Sequence, residues 1–436
     1  MNVANVPVQP HAAPTGAPRV ADIVDIDLSR PESFEAGVPH DAFDRLRAGA
    51  PIAWHEEHRS GFSLQSGSAK DAPKSPGFWA VTSHELVNEV SRNPASFSSW
   101  VGGTQLHNFA EADLLLFRQM MINMDPPEHS RLRRILQPTM TPRAIQRLRD
   151  DVERHAREIV DDLEVAGGGD FVVAASAELP IRVLADFLGV PREDRHRILS
   201  WSNALVGADD PEYGSSRETV IATMMDLFAY GQSIAEDRRS TPRDDIVSMI
   251  ANAEVDGERL TDSEFNVFWL LLIIAGNETT RNSLSGGLAA LCEQGKWGWL
   301  RDNRESLSSA VEELIRFVSP VMQFRRTATH DAALGGQMVR AGDKVVVWYG
   351  AANRDPSVFV SPHLLDLVRD PNPHLAFGVG PHFCLGAHLA RLEMSVMLDE
   401  MLRRFGSITI DGPVERMRSN FINGIRHLPI RCSSAG

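Results

Sequence analysis

Apolar residues recur at three-to-four spacing along most of the chain. The pattern predicts helices over 40–49, 84–93, 126–138, 141–166, 178–189, 191–207 and 216–237. Strand signals are few, and Phe78–Val81 and Lys344–Trp348 are the strongest. Glu57–Gly77 is rich in Ser, Gly and Lys and reads as an exposed loop. Two helix starts are sharp. In DPPE, Asp125–Glu128, an Asp cap precedes a proline, and a Glu follows three residues after the cap. In TDSE, Thr261–Glu264, a capping box opens a long apolar pattern that runs to about residue 290. At ~1.5 Å per residue such a helix is roughly 45 Å long and crosses the whole molecule. No Pro/Gly linker and no internal repeat divides the chain. The expected fold is mainly α with a small β-lobe: one domain over residues 35–436 behind a flexible N-terminal tail, 1–34.

Composition narrows the function. The 436 residues are 43% hydrophobic, enough for a large core. Lys and Arg number 44 against 58 Asp and Glu, a net charge of −14, which argues against nucleic acid as a partner. Cys292, Cys384 and Cys432 share no short spacing, so neither a zinc site nor a disulfide framework is expected. The first residues lack a basic stretch followed by an apolar run. The longest apolar run, Val267–Ala275, is half the length that spans a bilayer. A soluble, cytoplasmic protein without membrane insertion is the expectation.

Four short stretches carry candidate chemistry. In FGVGPHFCLG, Phe377–Gly386, the glycines allow a tight loop that approaches a flat ligand closely. The helix that starts after Cys384 favours a thiolate there, as metal ligand or as nucleophile; a plain buried cysteine is the bland alternative. AGNETT, Ala275–Thr280, places polar residues in a core helix. It is either a polar patch at a bend or an acid and an alcohol that deliver protons to a buried pocket, with Gly276 making room for a small ligand. In EELIR, Glu313 and Arg316 share a helix face, as many surface ion pairs do. In HSRLR, His129 and Arg133 do the same, and with another basic residue they would hold two carboxylates.

These four stretches, in this order, resemble the cytochrome P450 family from about residue 35 to the C-terminus. More narrowly, MDPPEHSRLRRIL, AGNETTRNS, PNPHLAFG and NGIRHL resemble actinobacterial members that include steroid and branched-lipid hydroxylases. The resemblance implies haem b as cofactor, with Cys384 as the axial thiolate in a loop that includes Phe377, Gly378 and Gly386. It implies that His129, Arg133, Arg326 and His382 clamp the haem propionates; Arg326 is preferred to Arg325 by the family's spacing back from Gly336 and Gly342. Thr279 and Glu278 become the oxygen-activating alcohol and acid, Gly276 the dent for O₂, and Ala275 the residue that faces the haem. Glu313 and Arg316 become a buried pair that holds the loop below the haem.

The implied activity is a monooxygenase that takes electrons from a ferredoxin and its reductase and puts one oxygen atom of O₂ into a hydrophobic small molecule such as a lipid, steroid, terpenoid or secondary metabolite. The alternative is a haem-thiolate protein that couples or rearranges substrates, uses peroxide, or senses a ligand. The expected pocket walls are Trp100–Phe109, Trp201–Tyr213, Phe268–Leu272, Val321–Phe324 and Phe421–Ile422, mostly apolar. Arg131, Arg133, Arg134, Arg143, Arg147 and Arg149 form a basic stretch suited to an acidic ferredoxin.

Overall fold

The apolar patterns become helices largely where the spacing puts them. The computed structural model describes residues 11–58, 75–206, 210–213, 216–255 and 257–434. Its main helices are α1 (His40–Gly49), α2 (His84–Arg92), α3 (Glu128–Leu136), α4 (Arg149–Ala166), α5 (Glu178–Leu188), α6 (Arg195–Val206), α7 (Arg217–Ser240), α8 (Asp262–Glu293), α9 (Leu307–Val318) and α10 (Ala387–Arg404). Strands β1 (Ile52–Glu56), β2 (Gly77–Val81), β3 (Phe97–Ser98), β4 (Gln323–Ala328) and β5 (Lys344–Trp348) form the β-lobe. The sheet order is β1-β2-β5-β4-β3. Strands β2 and β5 run parallel, with Val345 opposite Trp79, and the other pairs are antiparallel. Both β2 and β5 are buried along their whole length, which fits the apolar runs Phe78–Val81 and Val345–Trp348.

The capping box of α8 forms as expected: Thr261 Oγ1 accepts from the Glu264 N–H at 3.2 Å, and the Thr261 N–H donates to Glu264 Oε2 at 2.9 Å. The helix has 32 residues, about 48 Å at ~1.5 Å each. It packs against α5, α6, α7, α9 and α10. Its N-terminal half, with Phe268 and Ile273, belongs to one apolar core shared with α3, α5, α6 and α7. Its C-terminal half, with Leu284 and Leu288, belongs to a second core shared with α4, α9 and α10. The polar stretch from Asn277 to Ser283 lies at the seam between the two cores.

Several expectations change. The helix expected over 141–166 divides into Pro142–Gln146 and α4, because the Arg147 N–H turns back to the Ala144 carbonyl and closes the first piece. Asp125 does not cap α3, which starts at Glu128 without a side-chain cap. Its carboxylate instead takes up Ser98 Oγ and the N–H groups of Ser99 and Trp100. A loose tail was expected through residue 34, yet Arg19 pairs with Trp54, and Val20, Val24, Leu28 and Phe34 are buried in the core that contains Trp348. Most of the expected loop Glu57–Gly77 lies outside the described residues, but the Glu57 carboxylate is buried 2.5 Å from Lys344 Nζ. Among the described residues no helix is long and apolar enough to cross a membrane.

Candidate active site

The loop from Phe377 to Gly386 turns on two glycines in the left-handed region, Gly378 at φ +68° and Gly380 at φ +76°. At Gly380 a Cβ would sit 2.7 Å from the Ser91 carbonyl oxygen, so only glycine lets the loop lie against the end of α2. The Cys384 N–H closes the loop on the Phe377 carbonyl at 2.8 Å. Burial pushes the Cys384 thiol up; the Gly386 N–H, Arg133 and Arg391 oppose that shift and favour the thiolate. Cys292 and Cys432 differ: burial pushes both to about 11, and neither faces this space.

Cys384 forms one wall of a cavity of about 250 Å³. Ala275, Gly276, Thr279, Thr280 and Ser283 of α8 form the facing wall. Thr279 Oγ1 donates to the Ala275 carbonyl at 2.9 Å, a bond back along its own helix. A Cβ on Gly276 would meet Leu184 of α5 at 3.0 Å, so the dent expected there is partly occupied by Leu184.

Two guanidinium groups and two imidazoles edge the cavity. His129, Arg133, Arg326 and His382 all line it, with Phe377, Gly378 and Gly386. The His129 and His382 rings are 4.3 Å apart. His382 Nε2 lies 3.2 Å from Ser99 Oγ. Burial, with Arg133 and Arg326, holds His129 down at about 4. Burial first, then Arg326, His129 and Arg133, holds His382 well below the usual imidazole range. His129 Nδ1 is buried without a hydrogen-bond partner. Arg133 donates to the Phe383 carbonyl at 2.7 Å, and Arg326 to the Arg325 carbonyl at 2.8 Å. Arg326 faces the cavity, whereas Arg325, next along β4, points to the other side and donates to Asn108 Oδ1 at 2.9 Å. Gly102 makes that possible, since a Cβ there would lie 2.1 Å from the Arg325 guanidinium.

A family profile described as Cytochrome P450 matches residues 300–425. Cytochrome P450 126 of Mycobacterium tuberculosis is 41% identical over 423 residues, which cover 94% of this chain and 98% of that one. The chain belongs to the cytochrome P450 family. A steroid C26-monooxygenase of the same organism is 37% identical over 406 residues, 92% of this chain and 91% of that one. A solved Mycobacterium marinum cytochrome P450 in complex with pseudoionone superposes with a TM-score of 0.87 at 40% identity, covering 96% of this chain and all of that one. The chain is therefore a haem-thiolate monooxygenase with the mainly α fold and small β-lobe of that family.

The cofactor of a cytochrome P450 is haem b, and the residues present fit it. Two guanidinium groups and two imidazoles converge on one edge of the cavity, and among the described residues neither guanidinium is within ion-pair distance of a carboxylate: Asp125, the nearby acid, accepts from Ser98, Ser99 and Trp100 and acts on Arg326 only through its field. Such an edge suits two propionates, which themselves need charge-assisted partners to be buried. A thiol on a glycine-lined loop faces an apolar space below α8, as a flat macrocycle requires.

Other expected site residues lie elsewhere. Glu278 does not line the cavity. It is buried on the far side of α8, where Arg281 Nη1 lies 3.1 Å and Ser202 Oγ 3.2 Å from its Oε1. Glu313 and Arg316 are fully buried and bidentate at 2.7 and 2.8 Å. Of the expected walls, Phe268, Leu271, Leu272, Val321 and Phe324 line the cavity, but no residue of 100–109 or 421–422 does. Trp201 turns away, with its indole N–H on Asp226 at 2.8 Å. Met121, Ile122, Leu184 and Phe187 complete the apolar wall instead. The sequence reading also passed over Tyr349, Ser99 and Glu393. The last had a signal: it lies at helical spacing from Gly386, on the same face as Leu389 and Ala390.

Proposed function

We propose that this cytochrome P450 hydroxylates an apolar small molecule, with Cys384 on the haem iron and Thr279 on the oxygen-binding side. The arrangement that carries the reading is one cavity with Cys384 on one wall, Thr279 on the facing wall, and two guanidinium and two imidazole groups at its edge. The haem, when bound, supplies the iron at which O₂ is reduced. The net change is R–H + O₂ + two electrons + two protons to R–OH + H₂O. In this reading His129, Arg133, Arg326 and His382 hold the propionates. The Gly386 N–H and the charges of Arg133 and Arg391 steady the Cys384 sulfur. Thr279 presents its hydroxyl to the reacting oxygen, and Ala275 and Gly276 set how closely the substrate approaches. Glu278 passes protons from solvent once it parts from Arg281.

The substrate wall is apolar along Met121, Ile122, Leu184, Phe187, Phe268 and Leu272, which favours a steroid, lipid or terpenoid-like compound over a polar one. The names of the relatives, a steroid monooxygenase and a complex with pseudoionone, agree with that class. Electrons come from a ferredoxin-type donor and its reductase, docked where Phe383 and Arg134, Arg143 and Arg147 are exposed. Three unpaired cysteines suit a reducing cytoplasm.

Thr279→Ala tests the reading in the haem-loaded protein with a ferredoxin system. Haem content and substrate binding should persist while reducing equivalents appear as hydrogen peroxide instead of hydroxylated product. Unchanged product per electron pair would move the coupling, rearranging or sensing alternative to the front.

A further inference from the structure

A second cavity, of about 310 Å³, shares no lining residue with the first. One wall is a face of α8, where Gly286, Ala289, Ala290 and Glu293 follow i, i+3, i+4, i+7 spacing. The end of α9, the segment 36–38 with His40, and the strand that carries Arg416 complete it. Arg354 lines this space and is 4% exposed. Its two Nη groups donate to the Pro362 and Phe317 carbonyls at 2.9 Å, but its Nε has no hydrogen-bond partner. Glu313 and Asp44 act on it only through their fields; burial and the neighbouring Arg316 hold its guanidinium down at about 9. Arg416 is half-buried, and its side chain makes no hydrogen bond or ion pair among the described residues. It lies across Gly37, whose φ is +107° and where a Cβ would meet Arg416 Nε at 3.3 Å. His40 Nδ1 is also buried without a partner. Burial first, then Arg354 and His363, holds that ring well below the usual imidazole range, so it is neutral. His363 is already taken up by Asp44 at 2.7 Å. Glu293, the acid of the lining, is exposed.

We propose that this second cavity binds a small monocarboxylate, with the carboxylate on Arg416 and Arg354 and a short apolar part against Phe317, Val318 and Ile425. Two guanidinium groups against one exposed carboxylate leave the space positive by about one charge, which a monoanion matches. A buried guanidinium with an unpaired N–H is costly, and a carboxylate is the group that pairs with it best. A dianion such as phosphate is a poorer match, because Glu293 stands in the lining and the neutral His40 adds no charge. An uncharged molecule would fill the space and leave both guanidinium groups as they are. The apolar walls select an acid with a few carbons over an inorganic ion. Occupation would brace the segment 36–38 against α8 and α9, which lie more than two hundred residues further along the chain. The inference does not depend on the hydroxylase reading, since nothing in this cavity touches the haem site.

The test is equilibrium dialysis of radiolabelled butyrate against haem-loaded ferric protein, with the Soret band followed in the same samples. Butyrate should bind saturably at one site per chain while the Soret band stays unchanged, because the haem cavity is not entered. Arg416→Gln should weaken binding about tenfold or more, as expected for loss of a charge-assisted partner. Ala289→Leu, which puts a larger side chain into the α8 wall, should abolish it. Neither butanol nor inorganic phosphate at the same concentration should displace the label. Bound butyrate should also raise the unfolding midpoint of the parent, and Arg416→Gln should lose most of that rise. Arg416→Gln decides the matter alone if Ala289→Leu fails to retain haem. Absence of saturable binding, or equal affinity in parent and Arg416→Gln, overturns the proposal. So does a Soret shift that tracks binding, which would put butyrate in the haem cavity. Displacement by butanol would reduce the site to an apolar void, and displacement by phosphate would replace the carboxylate with a different anion; either result overturns the assignment.

Discussion

Glu313 accepts hydrogen bonds from Arg316, Arg369, Asn372 and the N–H of Asp366, at 2.7–3.2 Å. At the cavity edge Arg133 and Arg326, beside His129 and His382, donate to backbone carbonyls and form no ion pair among the described residues; Asp125 acts on Arg326 only through its field. Both clusters take charge out of water, but only the first is complete within the chain. Arg316 also donates to the carbonyls of Asn353 and Pro362, so the first cluster ties α9 to the segment that leads into the cysteine loop. The second leaves positive charge unmatched where a dianion fits. A buried charge with every partner present serves the fold, and one whose partners are missing marks a place for a ligand.

Removing one member of the complete cluster should have the largest effect. Glu313→Ala leaves Arg316 and Arg369 buried without a counter-charge, which typically costs ~3–5 kcal/mol. The urea midpoint should fall steeply, and the protein should fail to retain haem. A variant that folds, holds haem and loses only turnover would erase the contrast.

At the incomplete edge the effect should be smaller and should fall on the cofactor. Arg326→Gln removes one charge-assisted partner, worth ~1.5–3 kcal/mol, so haem should dissociate roughly ten- to a hundred-fold faster with the fold intact. Arg325→Gln is the control. Arg325 is fully buried and bonds Asn108 and Thr327 away from the cavity. Its loss should lower the unfolding midpoint and leave haem dissociation near the parent rate. The reverse pattern would exchange the roles of two neighbours on one strand.

What the sequence discloses about these regions depends on how local the determining interaction is. The capping box at Thr261 and Glu264 closes within four residues, and the turn at Gly378 and Gly380 within ten, so both can be read directly. Strand alternation sets Arg325 and Arg326 on opposite faces, but which face meets the cavity depends on Gly102 and Asn108, more than two hundred residues away. Asp125 satisfies every rule for a cap, and distant backbone N–H groups at Ser99 and Trp100 claim it instead. The outward turn of Glu278 depends partly on Arg281, three residues on, and partly on Ser202 in α6, which no local pattern reveals. Trp100 and Trp201 look like pocket aromatics by composition, yet Arg118 covers one and Asp226 holds the other.

The exposed basic stretch is the third setting for the same charge, and it should show the smallest effect of all. Arg131 pairs with Glu264 at 3.6 Å and Arg149 with Glu153 at 3.2 Å, while Arg133 turns inward to Phe383. That leaves Arg134, Arg143 and Arg147 exposed. Exposed charges contribute ~0–1 kcal/mol to stability, so replacing all three with Gln should leave the unfolding midpoint almost unchanged. Their effect should appear in encounter rates, where the field of a patch acts over the Debye length, ~10 Å at 0.1 M salt. Stopped-flow reduction by an acidic ferredoxin should be several-fold slower in the triple variant at low salt. The two proteins should converge as salt rises, since screening removes from the parent what the substitutions remove from the variant. A difference that persists at high salt would mean these side chains touch the donor directly. Equal rates at every ionic strength would move the dock away from α3 and the Pro142–Gln146 helix.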